Sequence, residues 1–282
     1  MISKPRLPRD DVNVTPHHPL KEGAVMLLGI IGVVAVVFGL AVLLVDRIVP
    51  HIPQSWERWL FPDFDAIRHA PETDEERAQQ QALESLMVRL VAHWPDHPEP
   101  IRVGLLDTDV PNALAFPGGL ILVTTELLRQ VKSENELAFV LGHELGHYRD
   151  RDHLRSLGRG VVLGLIAAAI GRSGAVADIA LMSSQLSTRS FSRAQEGKAD
   201  AFGLGIVEAE FGHVNGATNF FEHLPEPDTD LEKTLATYLA THPLNEERVL
   251  EMERLAGERG WSTKGDTIPL GQESVSSGTS NR

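Results

Sequence analysis

His143-Glu144-Leu145-Gly146-His147 is the stretch that decides how this chain is read. On a helix, histidines at i and i+4 project from one face, near enough for both imidazoles to bind one metal ion. Glu144 directly follows the first histidine, so its carboxylate reaches water at that metal and is placed to act as a general base. The helix is well signalled. Ser133 and Glu136 have the spacing of a capping box, and Leu137, Val140, Leu141, Leu145 and Tyr148 recur at helical spacing into and through the motif.

Two histidines do not complete a catalytic zinc site, which takes three protein ligands and leaves a position open. Downstream, in Ser192-Arg-Ala-Gln-Glu196-Gly-Lys-Ala-Asp200-Ala-Phe202, Glu196 and Asp200 share one helical face. Glu196 is the candidate third ligand. Asp200 is the candidate acceptor for the second ring nitrogen of a ligating histidine, which would fix its tautomer and raise its basicity. Alone, a Glu and an Asp at this spacing are ordinary helix surface; about fifty residues after HELGH they read as the rest of a metal site.

HELGH, then EGKAD, then Thr241-His242-Pro243 with Arg248, together with Asn112-Ala-Leu-Ala-Phe-Pro-Gly-Gly-Leu-Ile-Leu-Val123 upstream, resemble the membrane-associated gluzincin zinc endopeptidases of the HtpX, BepA and CAAX-prenyl-protease type. The resemblance covers about Thr73 to Trp261. It implies an α+β, mainly α metalloprotease domain with a small sheet. It also implies one zinc ion (Zn2+) per chain on His143, His147 and Glu196, with Glu144 as base and misfolded membrane or envelope polypeptides as substrates. It places His242 near the metal, as an oxyanion donor when substrate is bound or as a latch on the open position without it; a histidine that only shapes the loop before Pro243 is the plain alternative. It further implies substrate binding at Asn112, Ala113 and Ala115, where an extended polypeptide would pair with a strand edge. Alternatively, Asn112 and the glycines merely shape a tight hairpin. The rival class is a non-enzymatic, membrane-tethered polypeptide-binding protein using the same groove; the intact Glu144 favours the enzyme.

Composition narrows the classes. A net charge of −13 with pI near 5.4 argues against a nucleic-acid partner, which needs a basic surface. The chain has no cysteine, so disulfides, thiolate metal sites and thiol nucleophiles are excluded and any metal must sit on histidine and carboxylate. From Gly23 to Val45 run twenty-three residues without a charge. That is enough for one helix across the roughly 30 Å hydrocarbon layer of a lipid bilayer. A cleaved signal peptide is the competing reading, but its apolar region would be only about 7–15 residues with a small-residue cleavage site. Lys4, Arg6, Arg9 and Lys21 precede the span and only Arg47 and Arg58 follow closely. The amino terminus is therefore expected in the cytoplasm and the catalytic domain outside, in the periplasm of a bacterial inner membrane.

The expected organisation is a basic amino terminus (1–22), an anchor (23–45), a Pro- and aromatic-rich linker (46–72), the protease domain (73–261) and a disordered Gly/Ser/Thr tail (262–282). Trp56, Trp59, Leu60, Phe61 and Phe64 of the linker belong either at the lipid headgroups or against the domain. Thr73 and Glu76 cap a helix to about His93, with Leu83, Leu86, Met87 and Leu90 as its buried stripe. Strands are expected at Ile101–Leu106, Ala113–Phe116 and Leu120–Thr124, the last two joined by a Pro117-Gly118-Gly119 turn. Gly160–Gly171 is apolar but too short to cross a bilayer, so it reads as a buried helix or an interfacial segment. His153 is expected to make a structural hydrogen bond, and oligomeric state is not encoded legibly.

Overall fold

The computed structural model describes residues 18–60, 68–98, 100–169, 191–219, 242 and 246–270. Helix α1 (Pro19–Ile48) contains the whole expected span; continued by a 3-10 turn (Val49–His51), it is long and apolar enough to cross a membrane, and its apolar side chains are exposed. Ile52 is extended (φ −71°, ψ 124°), which ends that helical run before α2 (Gln54–Leu60).

The described part of the expected linker is not loose, because α2 is pinned to the domain by a buried charge cluster. Glu57, 1% exposed, accepts hydrogen bonds from Arg151 Nη2 (2.5 Å), His153 Nε2 (3.2 Å) and the Gly118 N–H (3.0 Å). Burial alone would raise the Glu57 carboxyl, but His153, Arg151 and the Gly118 N–H together hold it down to about 2. Arg151 also donates to the carbonyls of Val49 and Ile52. These bonds account for its left-handed backbone (φ 60°), a conformation that costs a non-glycine residue about 1–2 kcal/mol.

Helix α3 (Asp74–Ala92) carries both halves of the expected capping box: Glu76 N–H donates to Thr73 Oγ1 and Thr73 N–H to Glu76 Oε2. Its stripe of Leu83, Leu86, Met87 and Leu90 is buried against the sheet, and Gln80 Nε2 donates to the Val103 carbonyl. Strands β1 (Arg102–Leu106), β2 (Ala113–Phe116) and β3 (Leu120–Thr124) form a sheet of order β1-β3-β2, with β1 parallel and β2 antiparallel to β3. The central strand β3 is wholly buried and edge strand β2 lies beside the metal-motif helix. Positive φ at Gly118 (81°) and Gly119 (79°) explains why glycines follow Pro117 in the turn.

Short α4 (Thr125–Gln130) leads to α5 (Glu134–Arg149), which runs through the core and carries HELGH. Its cap departs from the expected box: Ser133 Oγ accepts from Glu136 N–H, while the Glu136 carboxylate takes the Lys132 N–H and the Ser133 hydroxyl instead of the Ser133 N–H. Helices α6 (Asp152–Ala169), α7 (Arg193–Phe211) and α8 (Glu246–Arg259) complete the described elements.

One open reading narrows and one expectation changes. The apolar segment at 160–171 is, where described, the second half of α6, and α6 lies along α1 rather than in the main core: a Cβ on Gly158 would meet Val45, and Arg159 pairs with Asp46 at 3.0 Å. The tail is ordered through Leu270. Glu134 N–H donates to the Ile268 carbonyl, Ile268 N–H to Asn135 Oδ1, and Ser133 bridges Pro269. Backbone hydrogen bonds to the start of α5 hold this stretch, a partner that its polar composition does not advertise. Residues 271–282 lie outside the described residues.

Candidate metal centre

The site exists because α5 and α7 approach unusually closely. A Cβ on Gly146 would lie 2.8 Å from Ala199 Cα, and one on Gly203 would lie 2.9 Å from the His143 nitrogen. Small residues at these crossings let the two backbones touch, which carries Glu196, in the first turn of α7, to the histidine face of α5. Ser192 and Gln195 form a full capping box that sets where α7 starts.

Four side chains then converge. One ligand atom from each of His143, His147, Glu196 and His242 lies within 4.8 Å of the others, and all four residues are buried. His143 Nε2 is 3.1 Å from His147 Nε2 and 3.1 Å from His242 Nδ1; Glu196 Oε1 is 3.3 Å from His147 Nε2 and 3.2 Å from His242 Nδ1. On the far side of each motif histidine sits a carboxylate. His143 Nδ1–H donates to Asp200 Oδ1 (2.9 Å), and His147 Nδ1–H donates to Asp152 Oδ2 (3.0 Å). Glu144 is beside the cluster, with Oε2 accepting the Ala115 N–H (3.1 Å) and Oε1 buried without a hydrogen bond, 3.5 Å from His242 Nε2.

These contacts test whether a metal suits the residues. Both Nδ1 atoms give their protons to carboxylates, so both Nε2 atoms turn lone pairs toward one point only 3.1 Å apart. That arrangement needs a cation between them. The proton is one solution: burial opposes charge on His147, but hydrogen bonds with Asp152 and Glu196 raise it to about 9. A divalent ion is the other, and a set of imidazoles plus one carboxylate is the donor chemistry that zinc takes.

The surrounding charges are tuned in a consistent way. Burial would raise Glu196, yet hydrogen bonds from His147 and His242 hold it well below the usual carboxylate range. Burial would likewise raise Asp200, which His143 and Arg248 hold down. Burial raises Glu144, whose histidine neighbours only partly offset it, and burial lowers His143 and His242.

His143, Glu144, His147, Glu196, Asp200 and His242 therefore lie together, and Ala115 borders them through Glu144. Asn112 faces inward, however: its N–H and C=O bond to Thr124, and its Oδ1 accepts the Ala113 N–H. The Thr124–Asn112 bond sets the ladder's alternation, so Leu114 and Phe116 bond to β3 while the backbone groups of Ala113 and Ala115 turn to the outer edge, where their N–H groups donate to Asn112 Oδ1 and Glu144 Oε2. Three contributors were not picked out from sequence. Asp152 was findable by asking what holds the other nitrogen of His147. Arg248 was known only as a motif letter, but it grips Asp200 with Nε (2.9 Å) and Nη2 (2.8 Å) and Glu196 with Nη1 (2.7 Å). Phe191 stacks on His147 at 4.0 Å, and nothing in its local sequence marks it.

Residues 75–256 match the sequence pattern described as Peptidase family M48. The chain belongs to this family. Among M48-type relatives, it is 28% identical over 190 residues to the beta-barrel assembly-enhancing protease of Escherichia coli (strain K12), covering 63% of this chain and 39% of that protein. It is 26% identical over 190 residues to the protein of the same name from Yersinia pestis, with the same coverage. With the mitochondrial metalloendopeptidase OMA1 of Schizosaccharomyces pombe it shares 31% over 147 residues, 51% of this chain and 43% of that one. The chain thus spans about two fifths of the length of these curated relatives.

Proposed function

We propose that this chain is a membrane-anchored, zinc-dependent endopeptidase that hydrolyses peptide bonds in misfolded membrane or envelope proteins. The observation that carries the reading is the pair of Nε2 atoms 3.1 Å apart, backed by carboxylates and joined by Glu196, with Glu144 alongside. His143, His147 and Glu196 would hold the ion. When bound, zinc supplies Lewis acidity toward water and the scissile carbonyl. Glu144, made more basic by burial, takes the proton of the attacking water and passes it to the leaving amine. The outer edge of β2 offers the Ala113 and Ala115 carbonyls to an extended substrate, since the Ala113 N–H is held by Asn112 Oδ1 and the Ala115 N–H by Glu144 Oε2.

His242 acts as a latch in this reading. A catalytic zinc site keeps one position open, whereas His242 adds a fourth donor to the cluster and lies against Glu144, where substrate and water need room. His242 moves aside to admit substrate and then offers its imidazole to the oxyanion. His242→Ala is expected to raise basal cleavage of an unfolded protein while zinc content stays the same; lost activity with zinc retained would instead assign it to the oxyanion alone.

Metal analysis and a chelator-sensitive cleavage assay on the purified full chain test the function itself. About one zinc per chain is expected, with cleavage lost on chelation and restored by zinc. Glu196→Ala should lose both zinc and activity, and Asp200→Asn should bind zinc about 10–100-fold more weakly. A wild-type chain that binds zinc but cleaves nothing would leave the binding-protein reading in place. The lysine and arginine distribution supports a periplasmic catalytic domain, so a reporter fused after Trp261 is expected on the non-cytoplasmic side.

A further inference from the structure

Helix α2 presents two opposed faces, and among the described residues only one of them has a partner. Glu57 turns into the domain, where Arg151, His153 and the Gly118 N–H hold it. Trp56 and Trp59, three residues apart, share another face and stand 56% and 78% exposed. An indole exposed to that extent is expensive in water, and a matched pair on one short helix marks a surface that something apolar covers.

The position of α2 identifies the covering partner. The span-length helix and its 3-10 turn end at His51, three residues before α2 begins, and Val49 of that turn is already buried against the domain. Ile52 and Pro53 then break the helical direction, so α2 does not prolong the span into solvent. The two exposed tryptophans thus follow directly on the end of the apolar span, where a chain leaves the hydrocarbon. Tryptophan is the side chain that favours this depth, its ring in the apolar boundary and its N–H in the headgroups.

We propose that α2 lies in the bilayer interface with Trp56 and Trp59 inserted among the lipid headgroups, and that Glu57 on its opposite side locks the catalytic domain to that surface. The lock reaches both the metal-motif helix and the β2 edge. Arg151 is four residues beyond His147 on the way out of α5, and Gly118 lies in the turn that ends edge strand β2. A membrane-held α2 therefore sets the height and tilt of the β2 edge above the bilayer. Access would then favour polypeptide emerging at the membrane surface. This inference rests on the anchor reading of α1, and the test separates the two.

The chain has no cysteine, so single cysteines can be spin-labelled without background. The full chain would be labelled at Trp56→Cys, Trp59→Cys, Val33→Cys on α1 and Val88→Cys on the exposed face of α3, then placed in nanodiscs of phosphatidylcholine and phosphatidylglycerol. All four positions are exposed, so the fold tolerates the label. Labels at 56 and 59 are expected to relax more with oxygen than with a water-soluble nickel complex, at a depth shallower than 33; the label at 88 should show the reverse preference. If 33 is in lipid while 56 and 59 behave like 88, the anchor stands and the docking of α2 is wrong. If 33 is also aqueous, the anchor reading itself fails. Dipolar broadening between labels at 59 on different copies would make a second copy the occupant and overturn the lipid assignment. Adding Glu57→Ala should increase the mobility of the label at 59; unchanged mobility would overturn the lock.

Discussion

Glu144→Gln is expected to retain zinc and the fold while lowering turnover by roughly a hundredfold or more, the scale on which a general base contributes. Glutamine keeps the volume of the side chain and can still accept the Ala115 N–H through its amide oxygen. What it cannot do is take a proton. Because burial already raises the Glu144 carboxyl, removing its charge should cost little stability, and the melting temperature should stay near that of the wild type. Metal analysis, thermal unfolding and cleavage of an unfolded protein, measured on one preparation, separate these effects. Near-normal proteolysis by this variant would falsify the proposed mechanism.

Arg248→Met is expected to be the most destabilising single change at the site, costing about 3–5 kcal/mol in the metal-free protein. The guanidinium is the cation that faces both Asp200 and Glu196 within the buried cluster, and methionine fills its space without its charge. Zinc would place a doubly charged ion beside Glu196 where the metal-free protein has only the proton on His147, so the deficit should be smaller in zinc-loaded protein. The pH dependence has a definite sign. Both carboxyls are held below their ordinary values of 4.5 and 3.8, so their contribution is fully present above that range and lost as pH falls below it toward the depressed folded-state values. Denaturant unfolding should therefore show the gap between variant and wild type at neutral pH and its narrowing in acid. An equal loss with and without zinc would show that Arg248 supports packing alone.

Much of the site was legible because its chemistry is local. HELGH and Glu196/Asp200 each lie within one helix, where period 3.6 converts spacing into a shared face, and Ser133 and Thr73 show where two helices start. The capping residues and the stripe of α3 were read correctly for the same reason. The box at Ser133 was only half right, since the Glu136 carboxylate had a competing donor in Lys132 that spacing alone does not rank.

What stayed hidden depends on contacts between segments far apart in the chain. Asp152 is near His147 in sequence, but its role needs the chain to turn back at Arg151, a left-handed residue that Glu57, Val49 and Ile52 hold from nearly a hundred residues upstream. The order of residues 262–270 needed the start of α5 as a hydrogen-bonding partner, and the placement of α6 needed α1. By itself the sequence determined the helices that carry the candidate site, the membrane-length span and the candidate ligand types, because backbone periodicity and side-chain chemistry act over a few residues. Tertiary structure alone decided that Gly146, Ala199 and Gly203 bring two backbones into contact, that Arg248 closes the carboxylate pair, and that α2 turns one face to the domain and one away. Close packing and buried charge pairing depend on three-dimensional neighbours, and sequence spacing does not record them.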